Sequence, residues 1–228
     1  MTVEKVLKEL EDLSTPEHFA KLSHFGITND RALGVKVPLI RQLAKKIKIN
    51  HQLALDLWQT EVHEARILAT MIDDSKLIDE NQFDDWVGDF DSWDICDQCC
   101  GLFIKTPFAL ERIGTYSHAN EEFVKRTAFV LMCALVIKDK KAGNESFYHF
   151  FELIEREAWD NRNFVRKAVN WALRQIGKRN EILRIKAIEC GERILSQESK
   201  SAKWIANDAL RELRSEKTIT YVNRNKSK

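Results

Sequence analysis

Two segments of this 228-residue chain repeat the same pattern at an offset of 41 residues, and this repeat restricts the fold more than any other feature. NEEFVKRTAFVLMCALV begins at Asn120, and NRNFVRKAVNWALRQIG begins at Asn161. Each has Asn as a candidate N-cap, followed by Phe-Val, two basic residues and an apolar helical stripe. A weaker third copy, AKWIANDALRELRS, places Trp204-Ile205 about 40 residues later. Two-helix units with periods of about 40–47 residues are typical of HEAT and armadillo repeats.

Such units stack because one unit cannot bury its apolar face alone, and the stack presents a concave surface. The composition agrees: 31% of the residues are charged, 44% are hydrophobic, and only three are proline. We therefore predict an all-α fold, a HEAT-like or armadillo-type α-solenoid of antiparallel helical repeats, over residues 1–215. The basic tail, 216–228, is predicted to be frayed. Helices are predicted near 2–13, 16–25, 36–48, 51–59, 61–74, 79–87, 92–105, 107–118, 121–138, 144–158, 161–178, 181–197 and 199–214.

The longest uninterrupted apolar run, Ala128–Ile137, is far too short to span a bilayer at about 1.5 Å per residue. It predicts a buried helix. The N-terminal sequence MTVEKVLKELEDL reads as an acidic amphipathic helix with no apolar signal region. We expect a cytoplasmic protein with no membrane contact.

The stretch DSWDICDQCC contains three of the five cysteines, at positions 96, 99 and 100. Their i, i+3, i+4 spacing places them on one helix face, and no second ligand pair accompanies them. Two interpretations are open, a metal site and buried packing. Packing is favoured, because a zinc site needs a fourth ligand and free cysteine behaves as a small apolar residue.

The net charge of +1 hides an asymmetry between the two halves of the chain. Residues 1–119 carry 13 Lys and Arg against 20 Asp and Glu, and residues 120–228 carry 23 against 15. The halves thus have net charges of −7 and +8. A basic half favours a polyanionic partner such as nucleic acid, although helical proteins also scatter charge without such a role.

Two tryptophans and one carboxylate stand out from the helical pattern. Trp93 and Asp97 are i, i+4 neighbours on one helix face, where a ring and a carboxylate could together stabilise a cationic intermediate. Trp171 lies among cations on the second repeat segment, a combination suited to phosphates and bases. Taken singly, a tryptophan such as Trp171 on an amphipathic helix is more often packed core, and Asp97 is more often a solvated or capping acid.

Five segments in this order and spacing resemble the AlkD-like family of DNA alkylation repair proteins, which are HEAT-like repeat DNA glycosylases. The segments are GVKVPLIRQLAK, HEARILATMI, SWDICD, EFVKRTAF and NFVRKAVNWALRQIGKRN, and the resemblance covers roughly residues 22–215. It implies removal of purines alkylated at the 3 or 7 position, leaving an abasic site. The alkylated base is already cationic, so the enzyme has only to stabilise an oxocarbenium-like sugar and to place water. The family is thought to leave the damaged base stacked in the duplex.

The resemblance also assigns residues. Asp97 corresponds to the catalytic carboxylate, Trp93 to its partner aromatic and Trp171 to a second aromatic in the DNA-facing cleft. Arg126 corresponds to a basic residue beside the lesion, and Lys36 and Arg41 to a turn and helix start near the DNA backbone. Candidates from charge alone are Lys125, Arg162, Arg166, Lys167, Arg174, Lys178 and Arg179. One departure is that the family pattern has two adjacent tryptophans before the aspartate, whereas this chain has Ser92-Trp93.

Three functions are open at this stage. The first is a monofunctional glycosylase for alkylated purines in double-stranded DNA, acting as a monomer without metal or cofactor. The second is a non-catalytic HEAT-repeat protein that binds branched or distorted DNA. The third is a protein-interaction scaffold. The combination of Trp93, Asp97, Arg126 and Trp171 favours the first, because a pure binding protein has no need of a carboxylate facing DNA.

Overall fold

The computed structural model describes residues 1–27 and 30–225, and these residues form helices and no β-strand. This confirms the predicted all-α fold class. The α-helices are α1 (Val3–Asp12), α2 (Pro16–Leu22), α3 (Val37–Ile47), α4 (His51–Trp58), α5 (His63–Ile72), α6 (Glu80–Gly88), α7 (Trp93–Phe103), α8 (Ala109–Tyr116), α9 (Glu122–Lys138), α10 (Tyr148–Glu157), α11 (Asn163–Gly177), α12 (Glu181–Leu195), α13 (Lys200–Leu213) and α14 (Glu216–Asn225). Short 3-10 helices span Ser23–Phe25, directly after α2, and Asn144–Phe147, directly before α10.

Local sequence explains where many of these helices begin. Side-chain oxygens at the N-cap accept backbone N–H groups of the first turn, which otherwise have no intrahelical partner. Proline occupies the first turn of α2 and of α3, where its missing N–H costs nothing. The N-cap residues that accept such a bond include Thr2, Thr15, Asn50, Asp79, Asn180 and Ser199.

The two repeat helices, α9 and α11, lie where the sequence predicts them, but the predicted caps are wrong. Their N-caps are Glu121 and Arg162, each one residue after the predicted Asn, and neither makes a side-chain cap bond. The carbonyl oxygen of Asn120 instead accepts a hydrogen bond from the Arg162 guanidinium. Contact between successive repeats therefore fixes these turns, rather than a local cap.

The chain forms two compact units, Met1–Phe108 and Ala109–Lys228, where the sequence predicts a single repeat domain over 1–215. In the first, α5 packs against α3, α4 and α7. In the second, α11 packs against α9, α12 and α13. The charge asymmetry follows this division, with 12 basic against 19 acidic residues in unit 1 and 24 against 16 in unit 2.

Residues 216–225, within the tail predicted to be frayed, form α14. This helix packs against α12 and α13, and Val222 is fully buried. The buried Thr218 and Val222, one turn apart, thus hold the segment in place. The remainder of the predicted tail, 226–228, lies outside the described residues.

Each unit has an aromatic and aliphatic core. In unit 1 the rings of Trp58 and Trp86 stack at a centroid distance of 3.9 Å, and those of Phe83 and Phe103 at 4.0 Å. All five cysteines are buried and unbridged, which confirms the packing interpretation of the thiols. Burial raises the pKa of the Cys99 and Cys100 thiols, and it raises that of Cys190 to about 12. Among the described residues, no helix combines the length and apolar character needed to cross a bilayer.

Candidate active site and nucleic-acid interface

The acidic site of unit 1 is built at the start of α7. This helix begins at Trp93, and Asp97 follows one turn later on the same face. The indole N–H of Trp93 donates to the carbonyl oxygen of Phe25 at 3.0 Å, and the ring packs against a small cluster formed by Leu22, Ile27 and Ala32. The N-terminal segment therefore holds the Trp93 ring in a fixed orientation.

A pocket of about 330 Å³ opens beside Trp93 and Asp97, and both residues line it. Both are half-buried. Six of the other eleven lining residues are aliphatic or aromatic, and the polar ones include two further acids, Glu64 and Asp94, which already have partners. The other lining residues are His18, Leu22, Phe25, Ile27, Val35, Val37, His63, Glu64, Ile67, Asp94 and Gln98.

A buried His63–Asp94 pair joins α5 to the first turn of α7. Nε2 of His63 lies 2.9 Å from Oδ2 of Asp94, and the two side chains are 2% and 13% exposed. Burial alone lowers the pKa of His63, but the hydrogen bond and charge of Asp94 outweigh it and raise that pKa. Burial likewise raises the pKa of Asp94, and the contact with His63 reverses this and lowers it. Both shifts favour the charged pair.

The neighbouring residue, Glu64, organises the loop before α3. Its carboxylate accepts the backbone N–H groups of Leu33, Gly34 and Val35 at 2.7, 2.6 and 3.0 Å. Three such bonds fix the loop on α5, and α3 starts directly after it. Lys36, the N-cap of α3, and Arg41, within its second turn, are both exposed. The two cations that the resemblance assigns to the DNA backbone are thus on the surface of unit 1.

In unit 2 the structure places the first two basic candidates inside the fold. Lys125 is 5% exposed, and its Nζ lies 2.7 Å from Oε2 of Glu157 and 3.4 Å from Oδ2 of Asp160. Arg126 is also 5% exposed and donates from Nη1 to the carbonyl oxygen of Phe164 at 2.8 Å. These contacts tie α9 to the next repeat, a role that charge counting along the sequence does not reveal.

Several cations of α11 are likewise engaged with acids of α13. Oε2 of Glu212 accepts from Arg174 at 2.5 Å, and Oε1 accepts from Lys178 at 2.8 Å. Burial raises the pKa of Glu212, but these two hydrogen bonds outweigh it and lower the pKa. Trp171, which precedes Arg174 by three residues on α11, is half-buried.

The remaining candidates divide between loop contacts and the surface. Arg162 pairs with Asp160 at 2.6 Å, and Arg179 donates to the carbonyl oxygens of Val136 and Ala142. Lys167 is exposed. Arg166 is half-buried, with its guanidinium 4.9 Å from the centroid of the Trp204 ring.

Sequence reasoning missed His63 and Asp94 as a pair, although both lie in quoted motifs, because their 31-residue separation has no helical meaning. It also missed Trp159, which is 55% exposed. Within the described ranges, no cluster of three His, Cys, Asp or Glu side chains could hold a metal ion.

The family model for DNA alkylation repair enzymes matches residues 6–213, nearly the whole chain. The chain belongs to this family. The position that departs from the family pattern, Ser92, is fully buried at the start of α7.

One solved structure shows the same fold. It is described as belonging to "a new family of proteins related to the HEAT-like repeat DNA glycosylases with affinity for branched DNA structures". It is 20% identical, the match covers 93% of this chain and 95% of that one, and the TM-score is 0.78. A designed armadillo repeat protein matches at 16% identity over 92% of both chains, with a TM-score of 0.38. No curated protein sequence matches this chain significantly.

Proposed function

We propose that this chain hydrolyses the N-glycosidic bond of purines alkylated at the 3 or 7 position in duplex DNA. The observation that carries the proposal is that Trp93 and Asp97, one turn apart on α7, line the same pocket. Membership in the DNA alkylation repair family supports the substrate class. The basic unit 2 supports a polyanionic partner.

The proposed reaction breaks the bond between the sugar C1′ and the purine nitrogen. The electron pair of that bond goes to the base and neutralises its positive charge, so the base leaves without being protonated. A water oxygen then bonds to C1′ and gives up a proton to Asp97 or to solvent. The carboxylate of Asp97 stabilises the oxocarbenium-like sugar, as a carboxylate does in glycoside hydrolysis. This sequence of steps requires no cofactor.

Trp93 contributes an aromatic face next to the developing positive charge. A cation over an indole ring is attracted by about 1–2 kcal/mol when the site is desolvated. The bond from its Nε1 to Phe25 and the packing against Leu22 fix the ring before substrate arrives. A ring held in place costs less to order in the transition state than a mobile one.

The remaining proposed DNA contacts come from both units. In unit 2 we propose that Trp171 makes an aromatic contact with DNA and that Arg126, which donates to the carbonyl oxygen of Phe164, contributes to phosphate binding. Lys36, Arg41, Arg166 and Lys167 are the further proposed phosphate contacts. The other five basic candidates already have partners within the fold, so they contribute to DNA binding only by stabilising the helices around them. They are Lys125, Arg162, Arg174, Lys178 and Arg179.

The test is release of 7-methylguanine and 3-methyladenine from methylated duplex DNA by the native chain and by Asp97→Asn. We expect release by the native chain only, with duplex affinity nearly equal for both proteins. Asp85→Asn, an exposed carboxylate change on α6 of the same unit, is the matched control and should excise normally. Normal excision by Asp97→Asn would contradict the proposed role of this carboxylate.

A second function is favoured by one specific observation. The solved neighbour with the TM-score of 0.78 comes from a family described by its affinity for branched DNA. This chain also has a buried Ser92 where the glycosylase pattern has a tryptophan. If the native chain releases neither base yet binds a four-way junction more tightly than a duplex, the chain is a structure-recognising protein without glycosylase activity.

A further inference from the structure

Two of the six tryptophans are exposed, and both belong to unit 2. Trp159, in the loop between α10 and α11, is 55% exposed, and Trp204 of α13 is 39% exposed. By contrast Trp58 and Trp86 are buried. Large aromatic rings left in water commonly mark binding surfaces, because their apolar area is gained when a partner covers it.

The backbone around Trp159 is fixed to the start of α13, the helix that carries Trp204. The Ser199 hydroxyl donates to the carbonyl oxygen of Trp159 at 3.1 Å, and the Ser201 hydroxyl donates to that of Asp160 at 2.7 Å. Ser199 is the N-cap of α13, and Trp204 lies in its second turn. Both rings therefore belong to one end of unit 2, where α11 and α13 begin.

A cation from an adjacent helix accompanies each ring. The Arg166 guanidinium of α11 lies 4.9 Å from the centroid of the Trp204 ring, and Nζ of Lys125 lies 5.5 Å from that of Trp159. A guanidinium beside a ring attracts phosphate while leaving an aromatic surface available, whereas Lys125 is buried and already paired with Glu157 and Asp160. Lys167, Lys200 and Lys203 are exposed at the same helix starts.

Two acids at this end are neutralised inside the fold. Glu157 and Asp160 are 5% and 2% exposed, and both pair with Lys125. Asp160 also pairs with Arg162 at 2.6 Å. The exposed charges that remain at these helix starts are Lys167, Lys200 and Lys203, beside the half-buried Arg166, against Glu121 and Glu198, so the aromatic surface has a net positive surround.

The repeat itself extends this surface. Trp204 occupies the position that Phe164 and Phe123 occupy in the two preceding copies, as the alignment of the three segments shows. The rings of Phe123 and Phe164 are 5.3 Å apart at their centroids, with an interplanar angle of 32°, and both are half-buried. Arg126 donates to the carbonyl oxygen of Phe164 between these positions. Successive repeats thus set aromatic rings and arginines along one edge.

We propose that this edge, formed by Phe123, Phe164, Trp204, Trp159 and Arg166, binds an unpaired nucleic-acid strand. Bases stack on the exposed rings, and the arginine and the exposed lysines contact the phosphates. Ring faces can reach bases only where those bases are not paired in a duplex, so the edge selects single-stranded segments. The site lies outside the Trp93 and Asp97 pocket and does not depend on excision activity.

The experiment measures fluorescence anisotropy of labelled oligothymidine and oligouridine strands of about twelve nucleotides, a length within the usual range for such sites. We expect the native chain to bind at least one strand. Trp159→Ala and Trp204→Ala should each weaken that binding about tenfold, whereas Trp204→Phe should stay within about threefold because a ring is retained. The preferred strand shows whether the natural ligand is DNA or RNA.

Tyr221→Ala is the matched control, since Tyr221 is 54% exposed and lines a surface with Lys178 beyond the opposite end of α11. It should change affinity by less than about twofold. Failure of the native chain to bind either strand would overturn the proposal. So would equal losses for Tyr221→Ala and Trp204→Ala, or native affinity in the Trp204→Ala and Trp159→Ala variants with thermal unfolding unchanged. Excision by Trp159→Ala should match the native chain, which separates this proposal from the glycosylase proposal.

Discussion

Nε2 of His63 lies 2.9 Å from Oδ2 of Asp94, and this contact connects two helices through residues 31 positions apart. Asp94 follows Trp93 in the first turn of α7, and Asp97 lies three residues further along the same helix. The next residue on α5, Glu64, holds the loop before α3. Two adjacent residues of α5 thus position both the acidic pocket and the surface cations of unit 1.

The His63–Asp94 pair predicts a stability that depends on pH. The pKa of His63 is raised above 6.5 in the folded chain, so its contribution is complete below that pH and is lost as pH rises through the folded pKa. The pKa of Asp94 is lowered below 3.8, so its contribution is present above that pH and is lost as pH falls through the folded value. The pair therefore stabilises the fold most between pH 3.8 and pH 6.5, the ordinary pKa values of the two side chains.

We expect His63→Gln to lower the free energy of unfolding by about 2 kcal/mol near pH 5.5, and by less near pH 8.5. Urea unfolding followed by circular dichroism at both pH values measures the difference. Asp94→Asn and the double variant complete a cycle that isolates the coupling between the two side chains. An equal decrease in the free energy of unfolding at both pH values would show that the raised pKa of His63 does not contribute to stability.

We predict that the fold does not tolerate a side chain at position 34. Gly34 has a φ of +83°, and a Cβ there would lie 2.7 Å from the Cβ and backbone nitrogen of Phe19. Gly34→Ala should lower the free energy of unfolding by about 2 kcal/mol or more, because both the backbone angle and the packing resist it. Gly101 of α7 is the matched control in the same unit, since a Cβ there meets nothing within 4 Å. Gly101→Ala should raise the free energy of unfolding by up to about 1 kcal/mol.

Both glycine changes are measured by urea unfolding at one pH. Equal stability of Gly34→Ala and the native chain would mean that the loop held by Glu64 adapts freely. A decrease in the free energy of unfolding as large for Gly101→Ala as for Gly34→Ala would show that position 101 of α7 does not tolerate a methyl group either.

We predict that a substitution at Lys125 lowers stability, whereas a substitution at Lys167 weakens DNA binding and leaves stability nearly unchanged. Lys125→Met leaves the buried carboxylates of Glu157 and Asp160 without their ammonium partner, so we expect a loss of about 3 kcal/mol in the free energy of unfolding. Lys167→Ala removes an exposed cation and should change stability by less than about 0.5 kcal/mol. The same Lys167 change should weaken duplex DNA binding and reduce the slope of log affinity against log salt by about 1.

Thermal unfolding and DNA binding over a range of salt concentrations separate the two lysines. An unchanged salt slope in Lys167→Ala would remove this residue from the proposed phosphate contacts. Native stability in Lys125→Met would mean that Glu157 and Asp160 are satisfied by Arg156 and Arg162 alone.

The helices could be predicted from the sequence because their signals are local. Apolar spacing, capping residues such as Asn50 and Asn180, and first-turn prolines act within a few positions of one another. The wrong caps at Asn120 and Asn161 mark the limit of that reasoning. There the turn is fixed by Arg162 reaching back to the previous repeat, and a contact across 42 residues leaves no local pattern.

By itself the sequence determined the all-helical repeat fold, the family and the pairing of Trp93 with Asp97 on one face, since each depends on residue type and on helical spacing. Only the tertiary structure decided which cations are available. Lys125 and Lys167 are equally basic in the sequence, yet one is enclosed by carboxylates and the other faces solvent. The physical reason is that burial and ion pairing depend on neighbouring helices that are distant in the chain.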